Sequence, residues 1–228
     1  MMVVFQKGFP LRHIGHLDLM RLFQRALRRS GLPVAYSKGF NPHIEISFAS
    51  PLGVGVVGMR EVADIPVVAG VSENEFLHVL QEQFPLSLQV VRTRFLEDRF
   101  PSLMSLVAAS CYTIRLPACT ETTLVLDGFS GFTGLKDYFV MRKTKKGEKP
   151  CNIRTFIQKE DIQSDGDGWK ISCVLKSTAE GSLRPSLWFR CLCDYIGIKE
   201  YPVLIVRDNI LCLDNDGVFV PIEVFNNV

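Results

Sequence analysis

Arg21, Arg25, Arg28 and Arg29 crowd one side of a helical repeat with no glutamate between them. A helix that only needs solvation mixes signs to gain i,i+4 pairs, whereas like charges at 21/25 and 25/29 repel by about a few tenths of a kcal/mol each. The planar guanidinium fork matches phosphate oxygens better than an ammonium does. The pattern points to an anionic partner, RNA first, with a plain solvated face as the bland alternative. Arg12 precedes this stretch and Lys38 comes after it.

Directly after it, Tyr36-Ser37-Lys38-Gly39-Phe40-Asn41-Pro42-His43 combines aromatic rings with cations. A single-stranded RNA surface needs that combination, because rings stack on bases while cations hold phosphates. The alternative is a connecting loop whose Phe40 plugs the core while Gly39 and Asn41-Pro42 shape turns. The candidate RNA-binding set is Arg12, Arg21, Arg25, Arg28, Arg29, Tyr36, Lys38, Phe40, Asn41 and His43.

His13 and His16 flank the start of the arginine helix, with Asp18 two residues further on. Three readings stay open. His16 can sit on the apolar side while Asp18 offsets the helix dipole. His-x-x-His-x-Asp, joined by His43, could bind zinc or iron, although strong zinc spacings bring three or four ligands. Or the histidines transfer protons or stack on bases. If the chain is an enzyme, His13, His16 and His43 are the catalytic candidates. The reading leans away from catalysis and expects no metal and no cofactor.

Other motifs weaken on inspection. Gly53-Val54-Gly55-Val56-Val57-Gly58 matches G-x-G-x-x-G, but the next residues, Met59 to Val68, read as a strand rather than the helix a dinucleotide site needs. The run from Arg142 to Lys149 holds five cations and suits a hairpin tip, solvated or binding. Seven scattered cysteines (Cys111, Cys119, Cys151, Cys173, Cys191, Cys193, Cys212) give neither a disulfide framework nor metal spacing, and no three of them cluster as an iron–sulfur centre requires.

Charge is uneven. Residues 1–50 carry seven Lys/Arg, Lys7 included, against Asp18 and Glu45, a balance of +5 in a chain of only +2. A basic pole on a near-neutral protein fits a polyanion. There is no run of eighteen apolar residues, and no positive charge precedes the short apolar start, so a cytoplasmic chain without membrane contact is expected.

The elements that must position these groups read by period. Val3–Lys7 is a strand, 16–30 an amphipathic helix stopped by Gly31 and Pro33, and Ile44–Ala49 a strand. Glu61–Val68 is a strand opened by the glycine-rich segment, Ser72 with Glu75 caps a helix, and Leu86–Phe95 closes as a strand. This β-α-β-β-α-β order predicts an α+β fold of ferredoxin-like type. A second such unit is expected beyond it: strands at Ser110–Pro117, Tyr138–Lys143, Cys151–Gln158 and Trp169–Ser177, a helix at Arg184–Tyr195, a strand at Tyr201–Arg207 and a hairpin at Ile210–Val224. The expected division is 1–100 and 101–228, with the boundary in Asp98–Leu106 and the two units packed together.

The stretch LRHIGHLDLMRLFQRALRRSGLPVAYSKGFNPHIEISFASPLGVGV (11–56) resembles the radical SAM-linked domain of unknown function, of the DUF2344 type. That domain is found fused to, or encoded beside, B12-binding radical-SAM proteins. Weaker likeness is present in PSLMSLVAASCYTIRL (101–116), NIRTFI (152–157) and GSLRPS (181–186), which contain Arg154 and Arg184. The resemblance implies work alongside RNA modification or ribosome maturation. The expected function is an RNA-facing adaptor acting with a separately encoded radical-SAM protein. Two rivals remain: a metal-independent RNA endonuclease resembling the Cas6 type, with Arg21 or Lys38 as electrostatic stabiliser, and a protein-interaction scaffold.

Overall fold

The computed structural model describes residues 1–68, 70–97, 99–144, 147–178 and 181–225. Asp98 at the expected boundary, and Lys145 and Lys146 of the basic run, lie outside the described residues. The fold is α+β, as the sequence predicts. The chain divides into two compact units, Met1–Ala108 with Val206–Val228, and Ala109–Ile205.

The first unit runs β1 (Met2–Lys7), a 3-10 turn (Phe9–Leu11), α1 (His16–Ser30), β2 (Ser47–Phe48), β3 (Val56–Asp64), α2 (Glu73–Gln81) and β4 (Leu88–Arg94). β1 pairs antiparallel with both β3 and β4, and β2 pairs antiparallel with β3, giving the order β4-β1-β3-β2. Strand alternation sends Val3 and Phe5 to the helices and Met2 and Val4 to the opposite face. α1 docks through Leu19, Phe23, Ala26 and Leu27, spaced three or four apart. Phe23 meets the rings of Phe5, Phe48 and Phe84 at 4.9, 5.3 and 4.8 Å. Gly31 ends the helix at φ +68°, a left-handed conformation that costs glycine nothing. Ser72 caps α2 by accepting a hydrogen bond from the Glu75 amide at 3.2 Å.

Three expectations for this unit need correction. The strand expected over Ile44–Ala49 is only Ser47–Phe48, because Ile44 bridges Tyr36 in its own loop instead of the sheet. The strand expected over Glu61–Val68 occupies Val56–Asp64, so the glycine-rich segment enters the sheet and Pro66 lies beyond its end. The tail from Val206 belongs here and not to the second unit. Strand β11 (Leu204–Leu213) lies beside β3, and β12 (Phe219–Pro221) pairs with β11. Ile210, Cys212, Ile222 and Phe225 join Met2, Val4 and Val62, along with Leu103 of the short helix α3 (Leu103–Leu106), in one buried cluster. A hairpin-like tail shows its apolar alternation in sequence but not which sheet face it covers.

In the second unit, β5 (Ala109–Leu116), β8 (Ile157–Asp165) and β9 (Gly168–Thr178) form a sheet with β9 central, and β10 (Gly181–Ser182) extends β9's edge. β6 (Phe139–Thr144) and β7 (Gly147–Asn152) make a separate hairpin. The strand expected over Cys151–Gln158 is broken by a 3-10 turn at Ile153–Phe156, where Asn152's side chain accepts from the Arg154 amide. Helix α4 (Thr120–Thr133) lies where the sequence shows little helix signal. Its threonines and two glycines have poor helix propensity, but tertiary packing overrides that. A Cβ on Gly128 would stand 2.6 Å from Ile196 Cγ1, and one on Gly131 would stand 2.8 Å from the Tyr195 hydroxyl. The glycines therefore let α4 sit tightly against α5 (Pro185–Ile196).

Candidate nucleic-acid interface

α1 settles where its arginines go. At roughly 100° per residue, Met20, Gln24 and Arg28 succeed one another along an i,i+4 row, and Arg21 and Arg25 lie on the adjacent outward side. Arg25 and Arg28 are exposed and have no hydrogen-bond or ion-pair partner among the described residues. Arg21 is also exposed but pairs with Asp18 at 3.0 Å. Arg29 turns the other way and donates to the Gln83 carbonyl at 2.7 Å and its side-chain oxygen at 3.3 Å. Arg12 lies 3.5 Å over the Phe9 ring and donates to the Phe9 carbonyl at 3.0 Å.

The sequence-level basic pole is therefore smaller than its count. Lys7, one of its cations, is only 1% exposed. It donates to the carbonyls of Arg12 (3.4 Å) and Ile14 (3.2 Å), which shape the approach to α1. Burial pushes its ammonium below the ordinary lysine range; Glu61 opposes that shift and Arg207 adds to it. Lys38, Arg25 and Arg28 are the cations free to meet a phosphate among those the sequence nominated. Of the later candidates, Arg184 is exposed just before α5, whereas Arg154 is drawn inward, 2.6 Å from Glu160 and donating to the carbonyls of Leu135 and Thr133.

The loop before β2 is stapled at its base and open at its tip. Ser37's amide donates to the His43 carbonyl at 2.8 Å, and His43's amide donates to Ser37 Oγ at 3.1 Å. The same hydroxyl meets His43 Nδ1 at 2.8 Å. Glu45's amide donates to Ala35, closing the base. Lys38, Phe40 and Asn41 project beyond it, with Gly39 at φ +138° making the bend. Phe40 is 106% exposed and Tyr36 48%, so Phe40 does not plug the core. A fully solvated phenyl ring costs hydrophobic free energy unless something covers it.

Among the described residues, no three or more of His, Cys, Asp and Glu are grouped so as to hold a metal ion. His13 is exposed. His16 is half-buried with its ring edge-on to Phe48 at 5.3 Å, which fits the core-side reading. His43 meets Ser37 in the loop and also lines the groove beside α1.

Between α1 and the chain leaving the loop lies a groove of ≈ 350 Å³. Met20, Ile44, Ile46 and Pro66 give it apolar walls, and Gln24, His43, Glu45, Ser47 and Asp64 complete its lining. Gln24 Nε2 donates weakly, at 3.5 Å, to the Ile44 carbonyl. Burial raises the Asp64 carboxyl above the ordinary range, and the Met1 amino group, 3.7 Å away, works against that rise. Sequence reasoning missed this groove. Gln24's place between Met20 and Arg28 was visible in the helical row, but Asp64's approach was not.

No helix among the described residues is long and apolar enough to cross a membrane. A comparison with curated proteins gave no match. A family model does match, over residues 1–185, which includes α1, the stapled loop and the groove. The chain belongs to the bacterial family described as "uncharacterized protein conserved in bacteria (DUF2344)".

Proposed function

We propose that this protein is an RNA-facing adaptor that presents RNA to a separately encoded radical-SAM enzyme, in RNA modification or ribosome maturation. One observation carries the RNA half of the reading. Unpartnered Arg25 and Arg28 are exposed on α1, and the loop after α1 holds Lys38 and the fully exposed Phe40 beyond a hydrogen-bonded base. Cations that spend nothing on internal pairs keep their attraction for phosphates. A rigidly based loop with a bare ring offers a stacking platform at low ordering cost. The enzymatic partner rests on the resemblance of residues 11–56 to the radical SAM-linked domain, and the two units are read as ferredoxin-like on their element order. Crosslinking the protein to RNA in cells and sequencing what copurifies tests the reading. Recovery of a defined RNA class, lost in the Arg25→Ala/Arg28→Ala variant, is expected; recovery no greater than from an unrelated control protein would contradict it.

The nuclease alternative keeps one specific support, since Ser37 fixes His43 through one ring nitrogen and leaves the other for proton transfer. The adaptor reading expects no RNA cleavage by the purified chain. EDTA-resistant cleavage that leaves a 2′,3′-cyclic phosphate and disappears in His43→Ala would favour the nuclease.

A further inference from the structure

Residues 43–47 run extended beside α1, and their side chains alternate. Ile44 is buried and Ile46 half-buried in the core under the helix, while His43, Glu45 and Ser47 are exposed. The backbone alternates as well. His43's carbonyl accepts from the Ser37 amide at 2.8 Å, and Glu45's amide donates to the Ala35 carbonyl at 3.0 Å. Ser47 pairs with Asp64 of β3. Successive residues of a strand turn their N–H and C=O groups to opposite sides. Ile44 and Ile46 therefore present theirs away from those neighbours, toward α1 and the groove. Among the described residues only Gln24 reaches this edge, through the weak 3.5 Å bond to the Ile44 carbonyl.

The groove follows the same edge. Residues 43 to 47 all line it, roughly 16 Å of extended chain and the length of a short strand. An unpaired edge offers donors and acceptors at strand spacing, which another strand matches along its whole length. We propose that the groove receives an extended segment of a partner protein, which pairs with Ile44 and Ile46 as an added strand. The inference stands apart from the RNA reading. Side chains of the segment that share the face of Ile44 and Ile46 meet Met20 and must be apolar. Those that alternate with them stand beside exposed Glu45, and no lysine or arginine lines the groove, so they must be basic. The same glutamate disfavours a second copy of this chain. Antiparallel self-pairing centred on this short edge sets Glu45 opposite Glu45, where like charges repel. A phosphate backbone is repelled for the same reason.

The test is fluorescence anisotropy with labelled nonapeptides: one alternating valine and arginine, one with the same residues in two blocks, and the alternating one N-methylated on its valines or on its arginines. The alternating peptide should bind roughly tenfold more tightly than the blocked one. N-methylation removes the donors from one backbone edge of the peptide and spares the other, so one methylated form should lose binding and the other keep it. Amide exchange at Ile46, followed by NMR, should slow when the alternating peptide is added. Glu45→Lys, a surface change, should reverse the preference toward a peptide alternating valine and glutamate. Absence of binding overturns the proposal. Equal affinity for the alternating and blocked peptides, or for both methylated forms, reduces the effect to charge attraction and overturns it too. Slowing of the Ile46 amide by single-stranded RNA, or by rising protein concentration alone, gives the groove to RNA or to a second copy and likewise overturns it.

Discussion

Arg207 and Glu61, 146 residues apart in sequence, form a doubly bonded and almost wholly buried ion pair in the first unit. Arg207 Nε donates to Glu61 Oε1 at 2.8 Å, and Nη2 donates to Oε2. The same guanidinium donates to the Ser50 carbonyl at 2.9 Å and to Ser50 Oγ at 3.2 Å, tying the chain after β2 to β11. Gly58 makes room for this: a Cβ there would lie 2.5 Å from Glu61 Cγ. Removing one partner strands a buried charge, so Glu61→Leu should cost about 3–5 kcal/mol. Urea unfolding measures it; a loss under about 1 kcal/mol would mean that the site admits water.

A second prediction concerns the glycine contact in the other unit. Gly128→Ala places a methyl group 2.6 Å from Ile196 Cγ1 and should destabilise by about 1–3 kcal/mol, although alanine is the better helix former. Pairing it with Ile196→Ala should recover part of the loss. Thermal melting decides: a stabilised single variant would show that α4 can shift without penalty.

The cysteines predict a pH effect. Burial pushes the thiols of Cys191 and Cys193 up to about 11, from an ordinary value near 9.0. Between those values the unfolded chain releases protons that the folded chain keeps. The two thiols therefore contribute stability that is full below pH 9 and is lost as pH rises toward 11. Over that interval the urea midpoint of the wild type should fall faster than that of the Cys191→Ala/Cys193→Ala variant. Parallel curves would contradict the assignment.

Local rules made much of the first unit legible. The spacing of Leu19, Phe23, Ala26 and Leu27, ended by Gly31, gives α1 to the residue, and Ser72 with Glu75 gives the start of α2. Lys7 shows how a local signal can be overlooked: it continues the Val3 and Phe5 side of β1, which is buried, yet its charge places it in the basic pole. Other features depend on contacts between distant segments. Nothing near Glu61 announces Arg207, nothing near Gln24 announces Asp64, and α4 is a helix because of what packs against its glycines. The candidate interface was read residue by residue in the loop, but which arginines remain free depended on partners such as Asp18 and Gln83.

Phe40 separates a stacking surface from a merely charged one. Phe40→Ala should weaken binding of a short single-stranded RNA by about 1–3 kcal/mol while the melting temperature stays constant, because the ring is fully exposed and supports no core. Unchanged affinity would leave Lys38 and the arginines as the whole interaction.

The salt dependence of RNA binding decides whether α1 and the loop after it hold phosphates. Affinity for a short single-stranded RNA, measured from low to high potassium chloride, should fall steeply for the wild type. The Arg25→Ala/Arg28→Ala/Lys38→Ala variant should lose roughly 0.7 of log–log slope per charge, about 2 in total. Arg29→Ala should leave the slope nearly intact, because that guanidinium is committed to Gln83. A flat wild-type curve, or a triple variant with the wild-type slope, would contradict the account.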